Sequence, residues 1–166
     1  SGKIFHELSL SGVVHHDSAD STPLYIVLMG EYLSTSGDVK FIHSQWHRLE
    51  KAMIFLRKTI KNDYGFIENS NVGHGWVEFG PLAGSYVEIY LASCWAEALR
   101  QFVFIARTLG NENVSNICEV ESKTIMENID KEFWNAETQF YDAGICIDSN
   151  NKTEISILPA IPILFG

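Results

Sequence analysis

The chain has 166 residues, 46% of them apolar, and a formal net charge of −9 at pH 7. This excludes a disordered chain and leaves room for one domain with a substantial core. Lys and Arg are scattered, so there is no basic face for nucleic acid, and no apolar run is read as long and uncharged enough to span a bilayer.

Ser1-Gly2-Lys3 shows no signal-peptide pattern, and the compartment is not readable from it. The opening stretch is a loop that ends in Val13-Val14-His15-His16-Asp17-Ser18-Ala19-Asp20-Ser21-Thr22-Pro23. A helix begins at Ser21 or Thr22 with Pro23 in its first turn, after good capping residues. It runs through Leu24-Tyr25-Ile26-Val27-Leu28-Met29 to Tyr32-Leu33 with almost no polar face, the pattern of a helix surrounded by protein. Gly37 stops it and Asp38 can cap the next. In that second helix Val39, Ile42, Trp46, Leu49, Met53, Leu56 and Ile60 recur at spacings of three and four, with Lys40, Gln45, His47, Arg48, Lys51 and Lys58 between them. It is amphipathic, with one wet face.

A long glycine-broken loop spans 61–84. The third helix is again apolar on all sides, from Val87, Ile89, Tyr90 and Leu91 through Trp95, Leu99, Phe102 and Ile105. Gly110 stops it and Asn111 can cap its successor. The fourth helix is amphipathic, with Val114, Ile117, Cys118, Ile125 and Ile129 among acidic residues. From Phe133 to Thr153 the pattern breaks, with a short β-hairpin read near 140–147 and a turn at 148–151. Ile157-Leu158-Pro159-Ala160-Ile161-Pro162 starts a third apolar segment. The three cysteines, Cys94, Cys118 and Cys146, form no zinc spacing; Cys94 and Cys118 read as small core residues.

The order is thus buried, half-buried, buried, half-buried, buried. Glycine followed by a capping Asp or Asn punctuates the hairpins, a helical-hairpin repeat of long period. Solenoids use shorter units with short loops. Inner and outer helices alternating with long loops on one side indicate an all-α (α/α)6 toroid, whose inner helices form a ring and whose loops build a site at one end. Two to three hairpins do not close a ring. Residues 1–166 therefore read as a single partial toroid domain, truncated at both ends, whose bare inner-helix faces are expected to self-associate.

Several polar residues at this end have a plain reading beside a functional one. Asp20 can cap its helix or hold a ligand. Glu88 opens the third helix, where an acid favours the macrodipole, though on so apolar a helix it can also bind a hydroxyl. Glu68 sits beside Asn69-Ser70 and can brace a turn. His15 and His16 point to opposite faces of extended chain and rarely share one ion, so no metal site is expected; His15 or His16 contacting a ligand is the better reading. His43 and His47 do not form HExxH, since residue 44 is Ser. There is no GxSxG, no GxGxxG and no Walker pattern, so neither a serine nucleophile nor a nucleotide is implied.

Three blocks carry a resemblance. They are Gly2-Lys3-Ile4-Phe5-His6-Glu7 with Asp20-Ser21-Thr22-Pro23-Leu24-Tyr25 and Gly30-Glu31-Tyr32; then Gly65-Phe66-Ile67-Glu68-Asn69 with Gly73-His74-Gly75-Trp76-Val77-Glu78 and Val87-Glu88-Ile89-Tyr90; then Ile157 to Gly166. In this order they resemble the six-hairpin glycoside hydrolases of the glycogen-debranching, amylo-α-1,6-glucosidase type. The resemblance implies hydrolysis of an α-glucan or related oligosaccharide, by inversion and without a cofactor. It makes Glu78 of Trp76-Val77-Glu78 the general acid, and Asp20 a holder of sugar hydroxyls. His16, His74, Trp76, Glu68 and Glu88 would complete the substrate-binding set.

The residues around Glu78 suit that role. Trp76, Val77 and Phe79 can desolvate its carboxyl and raise its pKa, while glycines 73, 75 and 80 admit a ligand close to the backbone. The plain alternative is a surface glutamate in a loop. An inverting enzyme needs a second carboxylate roughly 6.5–9.5 Å away, and by the resemblance this base lies outside the chain. A fragment of that kind is expected to be inactive alone. The alternative function is a non-catalytic helical domain that binds a glycan or a protein.

Overall fold

The computed structural model describes residues 1–16, 18–69, 85–146 and 160–165. The opening stretch is not all loop. β1 (Glu7–Leu8) and β2 (Val14–His15) form a small antiparallel hairpin, closed by Ser9 N–H on the Val13 carbonyl at 2.9 Å. No alternation marks strands this short, which is why the sequence hides them.

Four long helices follow at the expected places: α1 (Ser21–Ser36), α2 (Val39–Thr59), α3 (Ile89–Thr108) and α4 (Glu112–Phe133). α1 ends because Gly37 adopts φ 65° and turns its N–H onto the Leu33 carbonyl, a conformation that favours glycine. α2 starts where Asp38 accepts the Phe41 N–H at 3.0 Å, the expected cap. Asn111 precedes α4 but its side chain makes no cap bond, against expectation.

β3 (Ser85–Glu88) runs straight into α3. The stretch near 140–147 does hold short strands, but they pair elsewhere. β5 (Phe140–Tyr141) turns back onto β4 (Trp134–Asn135), and β6 (Gly144–Cys146) crosses to β3. A short α5 (Ala160–Phe165) follows. The chain is a mostly α partial domain, the class the apolar periodicity indicates.

α3 is the centre. It packs on α1, α4 and α5, while α2 packs mainly on α1. α1 and α3 run in parallel, and two cross-links set their stagger. Tyr90 reaches Asp20, and Gln101 reaches Glu31, each a separation of 70 positions. Phe165 of α5 lines a small cavity together with Ala96 and Glu97 of α3. The approach at the α1–α3 seam is close: a Cβ on Gly30 would lie 2.7 Å from Gln101 Cβ, so only glycine fits. Behind this row Arg57 ties α2 to α4, with Nη2 at 2.6 Å from Glu121 Oε2.

The two apolar helices differ from each other. α3 buries Ile89, Leu91, Trp95, Leu99, Phe102 and Ile105, each such side chain contributing about 1.5–3 kcal/mol. By length and composition α3 is apolar enough to cross a membrane, which corrects the expectation that no such run exists; it is the buried helix of the core. α1 corrects a second expectation. It buries Ile26, Gly30 and Leu33 on α3, but Leu28 is 61% exposed and Tyr32 38%. An apolar circumference therefore does not mean an enclosed helix.

Candidate functional site

The described candidates gather where the chain enters α1 and α3. Asp20 stands at the N-cap of α1 yet does not cap it. The reason is local. A cap side chain accepts from the second or third helical N–H, and the third residue here is Pro23, which has none. Asp20 also has helical φ −85° and ψ −20°, not the extended geometry of a working cap. Its carboxylate is held instead by two hydroxyls. Ser18 Oγ donates to Oδ1, and Tyr90 Oη donates to Oδ2 at 2.9 Å from the next inner helix. Asp20 is only 6% exposed, and among the described residues no cation lies within ion-pair distance of it.

Tyr90 is a lasting donor. Burial is the main reason its phenol titrates well above the ordinary tyrosine range, helped by Cys94 and Asp20 beside it. Cys94, one turn on, has its thiol pushed up to about 12, by burial first and then by the negative charges of Asp20, Glu88 and Glu97. A thiol so held is not a nucleophile. Three carboxylates thus act on one small buried region.

Glu88 ends β3 and is fully buried. Like Asp20, it occupies an N-cap position without a side-chain cap bond. Its Oε1 accepts Asn69 Nδ2 at 2.8 Å. Glu68, next to Asn69, accepts the Lys61 N–H at 3.1 Å and Asn62 Nδ2 at 2.8 Å. Asn62 Oδ1 in turn accepts the N–H groups of Tyr64 and Phe66. These bonds fasten 61–69 to the end of α2, and Phe66 pins the segment to Phe133 with ring centroids 5.4 Å apart. His16 is exposed, edge-on to Phe5 at 6.3 Å, on the strand side of the same loop. Glu78, His74 and Trp76 lie outside the described residues.

Tyr90, Ser18 and Asn69 are the partners that sequence reasoning missed. Tyr90 reads as one more apolar helix residue. The available signal was Pro23, which removes a capping donor and leaves an aspartate in need of another. Among the described residues no group of three or more His, Cys, Asp or Glu could hold a metal ion. The chemistry on offer is that of neutral hydroxyl and amide donors set against buried carboxylates, which suits a hydroxyl-rich neutral ligand more than an ion.

The opposite end of the α1–α3 seam is different. Eleven residues on, about 16 Å along each helix, lies an open groove of about 530 Å³ lined by Glu31, Arg100, Gln101, Phe104, Glu119 and Lys123, among others. Its charges are largely paired with one another. Arg100 makes two bonds to Glu97, of 2.6 and 2.7 Å, and Arg107 meets Glu119 at 2.6 Å.

No protein-family profile matches this chain, and no curated protein sequence does. Solved structures do. A GH78 family rhamnosidase of Bacillus sp. GL1 superposes with a TM-score of 0.75 at 17% identity, over 90% of this chain and 16% of that one. A rhamnosidase from Klebsiella oxytoca, solved with rhamnose bound, gives 0.74 at 13% identity, over 99% of this chain and 31% of its own. The chain therefore has the fold of a part of these glycoside hydrolases and spans less than a third of either. The likeness is not specific to the glycogen-debranching type.

Proposed function

We propose that this chain is part of the helical toroid of a glycoside hydrolase, and that the loops entering its inner helices hold a sugar. The observation that carries this is the fold match over nearly the whole chain to rhamnosidases. The hydroxyl-held Asp20 at the loops entering α1 and α3 supports it.

The roles follow from the chemistry. Asp20 accepts sugar hydroxyls through lone pairs that Ser18 and Tyr90 leave open, since a carboxylate has about four such sites. Glu78 is the proposed general acid, with Trp76 as an apolar plate and His74 and His16 at the rim. Glu88 and Glu68 act through Asn69 and the 61–69 turn, shaping the wall. The general base is proposed to come from outside residues 1–166, giving inversion across a pair of carboxyl groups. An α-glucan was the substrate expected from the sequence blocks. The rhamnosidase likeness favours a deoxyhexose-terminated oligosaccharide, and both are hydroxyl-rich neutral ligands.

Saturation-transfer NMR with L-rhamnose and with maltotriose tests this on the chain itself. Transfer to at least one sugar is expected, without turnover of an aryl glycoside. No transfer to either would overturn the reading. In the assembled enzyme Glu78→Gln is expected to lose hydrolysis and keep binding; retained turnover would refute its role as the acid.

A further inference from the structure

We propose that Tyr90 is the positioning residue of this site: from the second inner helix it holds the Asp20 carboxylate in the orientation that receives a sugar hydroxyl. This rests on the glycan reading above and deepens it.

The geometry is specific. An aspartate before a helix is ordinarily spent on the helix N–H groups, but here Pro23 removes one of the two it would use and its own helical φ and ψ turn it from the other. Its two oxygens are then taken by Ser18 from its own loop and by Tyr90 from 70 positions away. A buried carboxylate without a counter-charge is costly unless its lone pairs are filled. Two neutral donors fill two of about four sites. No described residue takes the other two, and in this proposal they receive the sugar hydroxyl once the ligand enters the loop, in a plane that Tyr90 and Ser18 fix. A cation would have satisfied the charge better for stability alone, but would also have drawn the carboxylate away from a neutral ligand. Because its phenol stays protonated, Tyr90 keeps donating across the whole pH range of a folded protein.

Affinity for L-rhamnose and maltotriose, read by NMR titration of the full chain, tests this with Tyr90→Phe, Asp20→Ala and the double variant. Tyr90→Phe keeps the ring and removes only the donor. It is expected to weaken binding of the bound sugar by on the order of tenfold. In the Asp20→Ala background it is expected to change nothing further, because its effect passes through Asp20. A purely structural tyrosine would lower the urea midpoint and weaken binding equally in both backgrounds. Ser18→Ala, which frees the other oxygen, is expected to behave like Tyr90→Phe and stands in for it should that variant fold poorly. Wild type that binds while Tyr90→Phe binds equally well overturns this inference alone. Wild type that binds neither sugar overturns the glycan reading, and this inference with it.

Discussion

Helices α1 and α3 are written in the same apolar alphabet and meet opposite fates. α3 packs against α1, α4 and α5, and its side chains are buried on nearly every face. α1 has α3 on one side and shows Leu28 and Tyr32 to solvent on the other. The difference teaches that an apolar circumference reports a helix's place in a row of like helices, not its burial in any one piece of chain.

The sharpest way to break this contrast is the same truncation on both helices. Leu99→Ala in α3 is expected to cost 2–5 kcal/mol, roughly the range for a buried leucine, whereas Leu28→Ala in α1 should stay within about 0.5 kcal/mol. Urea denaturation measures both. Equal losses would mean that the exposed face of α1 is covered in solution.

Next in size is the seam itself. Gly30→Ala forces a methyl against Gln101 and should cost about 1–3 kcal/mol, the usual range for overpacking. Gln101→Ala in the same chain should recover part of that loss, and a simple sum of the two single effects would show that the seam is looser than described. The caps give a smaller contrast. Asp38→Ala removes a working cap and should cost about 1 kcal/mol, while no cap bond is lost in Asp20→Ala because Asp20 makes none.

Alkaline pH weighs most on α3, which carries the two most strongly raised groups, while burial also raises Tyr25 of α1. Cys94 and Tyr90 ionise at their ordinary values of 9.0 and 10.0 once unfolded, but in the folded chain burial raises Cys94 to about 12 and Tyr90 further still. Both raised values favour the protonated, folded state. Their contribution is full below pH 9 and is lost as pH climbs to about 12 and beyond. Tyr90→Phe should flatten the fall of the urea midpoint above pH 10, and an unchanged slope would count against its burial. The smallest effect on stability concerns α1. Light scattering at micromolar concentration should show self-association through its bare face, and the urea comparison of Leu28→Ala with Leu99→Ala therefore applies to the chain diluted to monomer. Leu28→Lys should weaken it at little cost in folding, and a clean wild-type monomer would remove the idea.

Helix positions were legible because the three-and-four spacing of Ile42, Leu49, Met53 and Leu56 and the stops at Gly37 and Gly110 are local signals. Strand partners were not. Gly144–Cys146 pairs with Ser85–Glu88 across the whole length of α3 and α4, and nothing local encodes that choice. Of the candidates, Asp20 and Glu88 stand out at helix ends and Glu68 in the glycine-broken loop, while their sugar-binding role came only with the family resemblance. Their partners could not, because the Tyr90–Asp20 bond depends on the stagger of two helices 70 positions apart. The loss of the Asp20 cap was readable, since Pro23 is in plain view, but only by asking which N–H groups remained to be capped.

The two ends of the α1–α3 seam leave one decisive measurement, a titration of the isotopically labelled chain with L-rhamnose followed residue by residue by NMR. A sugar site at the helix-entering loops predicts saturable shifts at Ser18, Asp20, Asn69, Glu88 and Tyr90, with Glu31, Arg100, Phe104 and Lys123 at the far groove unmoved. Shifts confined to the far groove, or none at saturating sugar, would contradict it.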